Sequence, residues 1–141
     1  MDTELKKDII LDNYQNPFNK DGNDELGYEK VNSNSKSCID DIDLYINIED
    51  GFVKDIHFNG EACAISTAST SILLKNIIGK SVKDALKYID NFNNMVEEKE
   101  YDEEMLNEAI AFDEIYKQQN RKTCVILPYV GIKKILEKYD V

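Results

Sequence analysis

Three thiols, one imidazole and one well-placed carboxylate could carry metal or sulfur chemistry in this chain: Cys38, Cys63, Cys124, His57 and Asp40. Three is an odd number, so a complete disulfide framework is excluded, and a reducing compartment disfavours disulfides in any case. None of the cysteines forms a CxxC pair. If they act together, the fold must bring them together. Cys38-Ile39-Asp40 sets a carboxylate two residues from a thiolate, so both can point the same way on an extended loop. Three thiolates and one carboxylate complete a tetrahedral set for zinc, or hold iron. A carboxylate among thiolates is the harder and more easily displaced ligand, which suits a site that opens during turnover. Scattered cysteines are also compatible with unconnected thiols, and spacing alone leaves that alternative open.

The positions of these groups follow from the elements around them. Residues 2–14 read as an amphipathic helix with Leu5, Ile9, Ile10 and Tyr14 on it, stopped at Gln15-Asn16-Pro17. Residues 18–37 are polar and loop-like, with room for a short strand at Tyr28–Val31. Ile42, Leu44, Ile46 and Ile48 alternate with polar residues, Glu49-Asp50-Gly51 is a turn, and Phe52–Phe58 is the return strand. Helical spacing runs from Cys63 to a stop at Gly79, and Ser81 is a good N-cap for a helix over Val82–Val96. Leu106, Ile110 and Ile115 predict another helix over 104–116. Pro128 is tolerated in a first turn, so the last helix is expected to begin near 125–128, with Cys124 at or just before its N-terminus. Cys63 also falls at a helix N-terminus, and a helix dipole favours a thiolate there. The fold class is α+β: a small antiparallel sheet of about three strands with helices packed on one face, as a single domain over 1–141.

Composition narrows the functions. The chain has 141 residues, 42% hydrophobic and 32% charged, with a net charge of -11. Such acidity argues against nucleic acid, and the tyrosines do not interleave with basic residues. No apolar run is long enough for a membrane span and the start is no secretory signal, so the expected compartment is the cytoplasm. Residues 90–116 hold ten acids against Lys99 alone, and residues 117–141 hold six bases against Glu137 and Asp140. This reads as a solvated acidic segment beside a basic helix, or as a docking patch for a basic partner. His57, on the strand face opposite Ile56 and Phe58, reads as an ordinary surface histidine. Ser66, Ser69 and Ser71 lack a G-x-S-x-G turn or a base partner and read as small residues at a helix–sheet contact.

Over its whole length the chain resembles the U-type iron–sulfur cluster assembly family, and within it the SufU branch. Ile10-Leu11-Asp12-Asn13-Tyr14-Gln15-Asn16-Pro17-Phe18-Asn19 is similar to I-x-D-x-Y-x-N-P-R-N, with Phe18 in place of Arg. Cys38-Ile39-Asp40 stands where the family has Cys-Gly-Asp. Gly60-Glu61-Ala62-Cys63-Ala64-Ile65-Ser66, followed by Ala68-Ser69, resembles G-E-G-C-x-I-S-x-A-S. Arg121-Lys122-Thr123-Cys124 resembles R-x-K-C. The length of chain between Cys63 and Cys124 matches SufU. The IscU branch lacks a stretch corresponding to about residues 80–100 and has His where Thr123 stands.

The resemblance implies that Cys38, Asp40, Cys63 and Cys124 bind one zinc; Ile39, standing where the family has Gly, leaves neighbouring Asp41 as an alternative to Asp40. It implies that Cys38 accepts persulfide sulfur from a SufS-type cysteine desulfurase, a pyridoxal phosphate enzyme. In the family picture a desulfurase histidine replaces the first cysteine on zinc, and the freed thiolate attacks. Arg121 would then pair with Asp40. An alternative is a scaffold on which iron or a [2Fe–2S] cluster is held and passed to downstream iron–sulfur assembly proteins. A second alternative is an interaction module with incidental thiols.

Overall fold

Alternation in the middle of the chain builds the sheet, and the sheet sets the place of every other element. The computed structural model describes residues 1–35 and 39–140. Strands β1 (Glu29–Asn34), β2 (Asp41–Glu49) and β3 (Phe52–Glu61) form one antiparallel sheet in the order β1-β2-β3. Asp50 and Gly51 both take positive φ, 52° and 78°, giving the two-residue turn whose twist matches its flanking strands. Leu44 lies opposite Val31 on one side and Phe58 on the other. Ile42, Leu44, Ile46, Ile56 and Phe58 are buried on one face. Each contributes roughly 1.5–3 kcal/mol by leaving water. At Gly60 (φ 122°) an added Cβ would sit 2.2 Å from the Asp41 carbonyl oxygen, so only glycine lets β3 pass β2 there.

Helix α1 spans Thr3–Gln15, α2 Ala64–Ile77, α3 Val82–Val96, α4 Glu103–Leu106 and α5 Gln119–Lys138. Asp2 caps α1 by accepting the Leu5 N–H at 2.8 Å, and Ser81 caps α3 by accepting the Asp84 N–H. Helices α2, α3 and α5 pack against the apolar face, and α2 is wedged between α1 and α5. Phe92 of α3 stacks on Tyr129 of α5 with ring centroids 3.9 Å apart. The short strand expected at 28–31 is β1, shifted and longer.

Two expectations are corrected. Residues 104–116 do not form one helix: α4 ends at Leu106, Asn107 takes a φ of 50°, and short 3₁₀ turns follow at Asn107–Phe112 and Ile115–Lys117. The large buried residues there, Leu106, Phe112 and Ile115, together with Ala109, fall at intervals of three, the 3₁₀ period, with Ala111 buried between them. The last helix starts at Gln119 rather than near 125–128, so Cys124 lies inside it and Pro128 sits in its middle. Pro128 takes away the N–H that the Cys124 carbonyl would accept four residues back. That carbonyl is met instead by the Ser66 hydroxyl of α2 at 3.1 Å. Ser69 donates to the Val125 carbonyl at 2.6 Å and Ser33 of β1 to the Leu127 carbonyl at 2.7 Å. The serines are therefore hydrogen-bond partners at a helix–helix contact, not merely small residues. Ser71 donates to the buried Asn13 side chain of α1 and accepts the Phe18 N–H.

The acidic and basic segments meet within the chain. Lys122 pairs with Glu97 at 2.8 Å and Lys133 with Asp90 at 3.4 Å. Lys6 of α1 reaches Asp113 at 2.6 Å.

Candidate metal centre

Where β2 begins, β3 ends and α2 starts, three of the chemistry-bearing residues converge. Cys63 is the N-cap of α2, placed there by the strand-to-helix junction, and its Sγ accepts the Ser66 N–H at 3.4 Å. Asp40 stands just before β2 and is 1% exposed. Its Oδ1 accepts the Cys63 N–H at 2.7 Å, and its Oδ2 accepts the Ser66 hydroxyl at 2.5 Å. A backbone N–H at a helix start and a buried hydroxyl suit a carboxylate in its anionic form. Cys124 approaches from the second turn of α5 and is 9% exposed. A thiolate there draws no help from the first turn of a helix, contrary to the sequence expectation.

The ligand atoms of Asp40, Cys63 and Cys124 all lie within 4.8 Å of one another. A tetrahedral zinc with arms of about 2.0–2.3 Å has ligand–ligand edges of roughly 3.5–3.8 Å. The Cys63 Sγ to Asp40 Oδ2 separation is 3.7 Å. Two sulfurs and one oxygen within 4.8 Å of one another, one pair already at a zinc-like edge and all largely out of water, can close on one ion of that kind with small movement and leave it a further position. Cys38, the fourth candidate, lies outside the described residues.

Of the two neighbouring carboxylates, Asp40 lies in the cluster. Asp41 is the first residue of β2 and turns to the opposite side, where the Asn32 side-chain amide donates to it at 2.5 Å. Ile39, between the two candidate ligands on Cys38 and Asp40, is 72% exposed. Arg121 is exposed on α5 and forms no hydrogen bond or ion pair with any described residue. It rims an apolar groove lined by Ile10, Leu11 and Tyr14 of α1 and by Ala64 and Ile65 of α2, with Lys7 at the other side. Sequence reasoning passed over Ser66. The signal available was its place three residues after Cys63, where an N-terminal helical turn brings its N–H back to the cap.

His57 is not part of this cluster among the described residues, and it is not a free surface histidine. Its Nδ1 lies 2.5 Å from Asp21 Oδ1 and its Nε2 lies 2.8 Å from Asp55 Oδ2, on the sheet face away from the helices. Burial works against the imidazolium, but the hydrogen bonds to Asp21 and Asp55 outweigh it, so the ring titrates above its ordinary range. The Tyr28 hydroxyl also donates to Asp55, at 3.0 Å. No helix among the described residues is long and apolar enough to cross a membrane.

Against known proteins, residues 5–125 match the NifU-like N terminal domain. A Bacillus subtilis protein named zinc-dependent sulfurtransferase SufU is 34% identical over 138 residues, covering 96% of this chain and 92% of that protein. A Thermotoga maritima protein named iron–sulfur cluster assembly scaffold protein IscU is 37% identical over 102 residues, covering 72% of each. A crystal structure of a Fervidobacterium islandicum protein, described as a candidate iron–sulfur cluster assembly scaffold for the SUF system, superposes with a TM-score of 0.86 at 30% identity. It covers 96% of this chain and 99% of that one.

Proposed function

The chain belongs to the NifU-like N-terminal domain family of iron–sulfur cluster assembly proteins, and from that premise we propose that it is a zinc-dependent sulfurtransferase that accepts persulfide sulfur from a cysteine desulfurase. The observation that carries this reading is the convergence of Asp40, Cys63 and Cys124 to within 4.8 Å at their ligand atoms. The likeness to the zinc-dependent sulfurtransferase along nearly the whole chain supports zinc over another ion. In this reading Cys38 completes the ligand set and is the sulfur acceptor.

Zinc, when bound, keeps its thiol ligands deprotonated and guarded from oxidation. The rest of the chemistry belongs to the chain. Cys63 holds its sulfur at the cap of α2, and its N–H fixes Asp40 Oδ1. Asp40 is the exchangeable oxygen ligand, and Arg121 is the cation assigned to pair with it when the ligand set rearranges. The Cys38 thiolate attacks the outer sulfur of the desulfurase persulfide. A new S–S bond forms at Cys38, the S–S bond of the donor breaks, and the electron pair leaves on the desulfurase cysteine as a thiolate. No oxidant or reductant is consumed. The apolar groove beside α2, rimmed by Lys7 and Arg121, supports docking of a partner with an apolar segment and acidic flanks.

The IscU-named relative favours a second reading, in which the same residues hold a [2Fe–2S] cluster as cargo for downstream assembly proteins. The deciding experiment is desulfurase stimulation by the full chain and by Cys38→Ala. Transfer predicts that stimulation disappears with that thiol. Undiminished stimulation removes the role assigned to Cys38, and visible-range absorption with bound iron and sulfide in the anaerobic protein selects the scaffold.

A further inference from the structure

Ser66 touches the surroundings of every described ligand, yet it is not itself a metal ligand. It is fully buried. Its N–H goes to Cys63 Sγ, and its Oγ lies 2.5 Å from Asp40 Oδ2 and 3.1 Å from the Cys124 carbonyl oxygen. Its Oγ is also 3.5 Å from Cys63 Sγ. A serine hydroxyl carries one proton, so it can donate to only one of its two oxygen acceptors at a time. The Cys124 carbonyl wants that proton because Pro128 denies it the usual helical donor. The Asp40 carboxylate draws it because each donor aimed at a buried anion offsets part of the cost of taking it out of water.

We propose that Ser66 is the positioning residue of the metal centre. Its hydroxyl, keeping its proton, turns between the Asp40 carboxylate and the Cys124 carbonyl as acceptors, tying the oxygen ligand to the backbone of the helix that carries the third thiol. With the hydroxyl donating to Asp40 Oδ2, the carboxylate is aimed and its donor strength moderated. When Asp40 leaves the ligand set or changes its bonding, the hydroxyl has a second acceptor within reach and does not itself become an unsatisfied buried donor. Ser69, one turn along α2, makes the same kind of bond to the Val125 carbonyl and none to Asp40. It is the built-in control that separates a staple between helices from a partner of the metal ligands.

This inference rests on the zinc reading above. The test measures zinc affinity of the full chain by competition with a chromophoric chelator. Ser66→Ala should lose about 10- to 100-fold in affinity, the usual cost of removing a group that orients a metal ligand. Ser69→Ala should stay near the wild-type affinity. Cobalt-loaded protein should show shifted visible bands in Ser66→Ala and unshifted bands in Ser69→Ala. Unchanged affinity in Ser66→Ala, or an equal loss in Ser69→Ala, overturns the role of Ser66. If circular dichroism finds Ser66→Ala unfolded, Ser66→Thr and Ser66→Val make the same comparison, because they share a shape and differ in the hydroxyl. The threonine must bind zinc more tightly by the same factor, and equal affinities overturn the proposal. Wild-type protein that takes up no zinc removes the zinc reading and this inference together. Wild-type binding with Ser66→Ala unaffected removes only this one.

Discussion

The two faces of the sheet each carry a cluster of aspartate chemistry, and they are built on opposite plans. On the outer face, Asp21 and Asp55 flank His57, whose ring is the cationic centre of the group when protonated. On the helix side, Asp40 meets a backbone N–H and a hydroxyl, and two sulfurs stand beside it. The outer cluster is completed by a proton. The inner one is an ion-sized convergence of soft donors and one hard donor. The first should therefore answer to pH, and the second to chelators.

The largest expected effect is on the inner cluster. Cys63→Ser or Cys124→Ser should abolish tight zinc binding and remove the stability that binding adds, about 4 kcal/mol for an ion present at a thousand times its dissociation constant. His57→Gln should leave zinc content unchanged. Elemental analysis and thermal melts with and without chelator check both, and metal loss in His57→Gln would erase the contrast between the faces. Next in size is the choice of carboxylate. Asp40→Asn should weaken zinc by more than the roughly 10- to 100-fold cost of losing an orienting group, and Asp41→Asn should leave it unaltered because Asp41 bonds to Asn32 on the other side of the sheet.

A smaller effect separates the serine bonds from the metal. Ser69→Ala removes a donor from the Val125 carbonyl beside Pro128 and should cost about 1 kcal/mol of stability, read by denaturant unfolding with zinc affinity held. The smallest effect belongs to His57. Its folded-state pKa is raised, so its contribution is complete below the unfolded value of about 6.5 and is lost as pH rises through the folded value. Asp21 is largely solvent-exposed, which holds the contribution to about 1 kcal/mol or less. The stability difference between wild type and His57→Gln should be present at pH 6 and vanish well above neutrality. A difference that grows with pH would contradict the assigned bonding.

What the sequence made legible was local. Period-two alternation from Ile42 to Ile48 marked β2, the Asp50-Gly51 turn set the hairpin, and Ser81 and Gly79 marked the break between α2 and α3. Cys63 was readable as a helix cap for the same reason. What stayed hidden depended on partners far along the chain. Pro128 was misplaced because its tolerance inside α5 is supplied by Ser66, a hydroxyl from another helix. Residues 104–116 were misread because burial at Leu106, Ala109, Phe112 and Ile115 follows a period of three that mimics a weak α-helical stripe. Asp40 and Asp41 could not be told apart until the pleat at the start of β2 put them on opposite sides. Ser66 was dismissed because its chemistry is visible only beside Asp40 and Cys124.

The most direct measurement is the metal content of the full chain purified without oxygen. One zinc per chain, lost when Cys63 or Cys124 is replaced by serine and kept in His57→Gln, is the result expected. Protein that carries no metal, or that carries iron and sulfide in place of zinc, would contradict it.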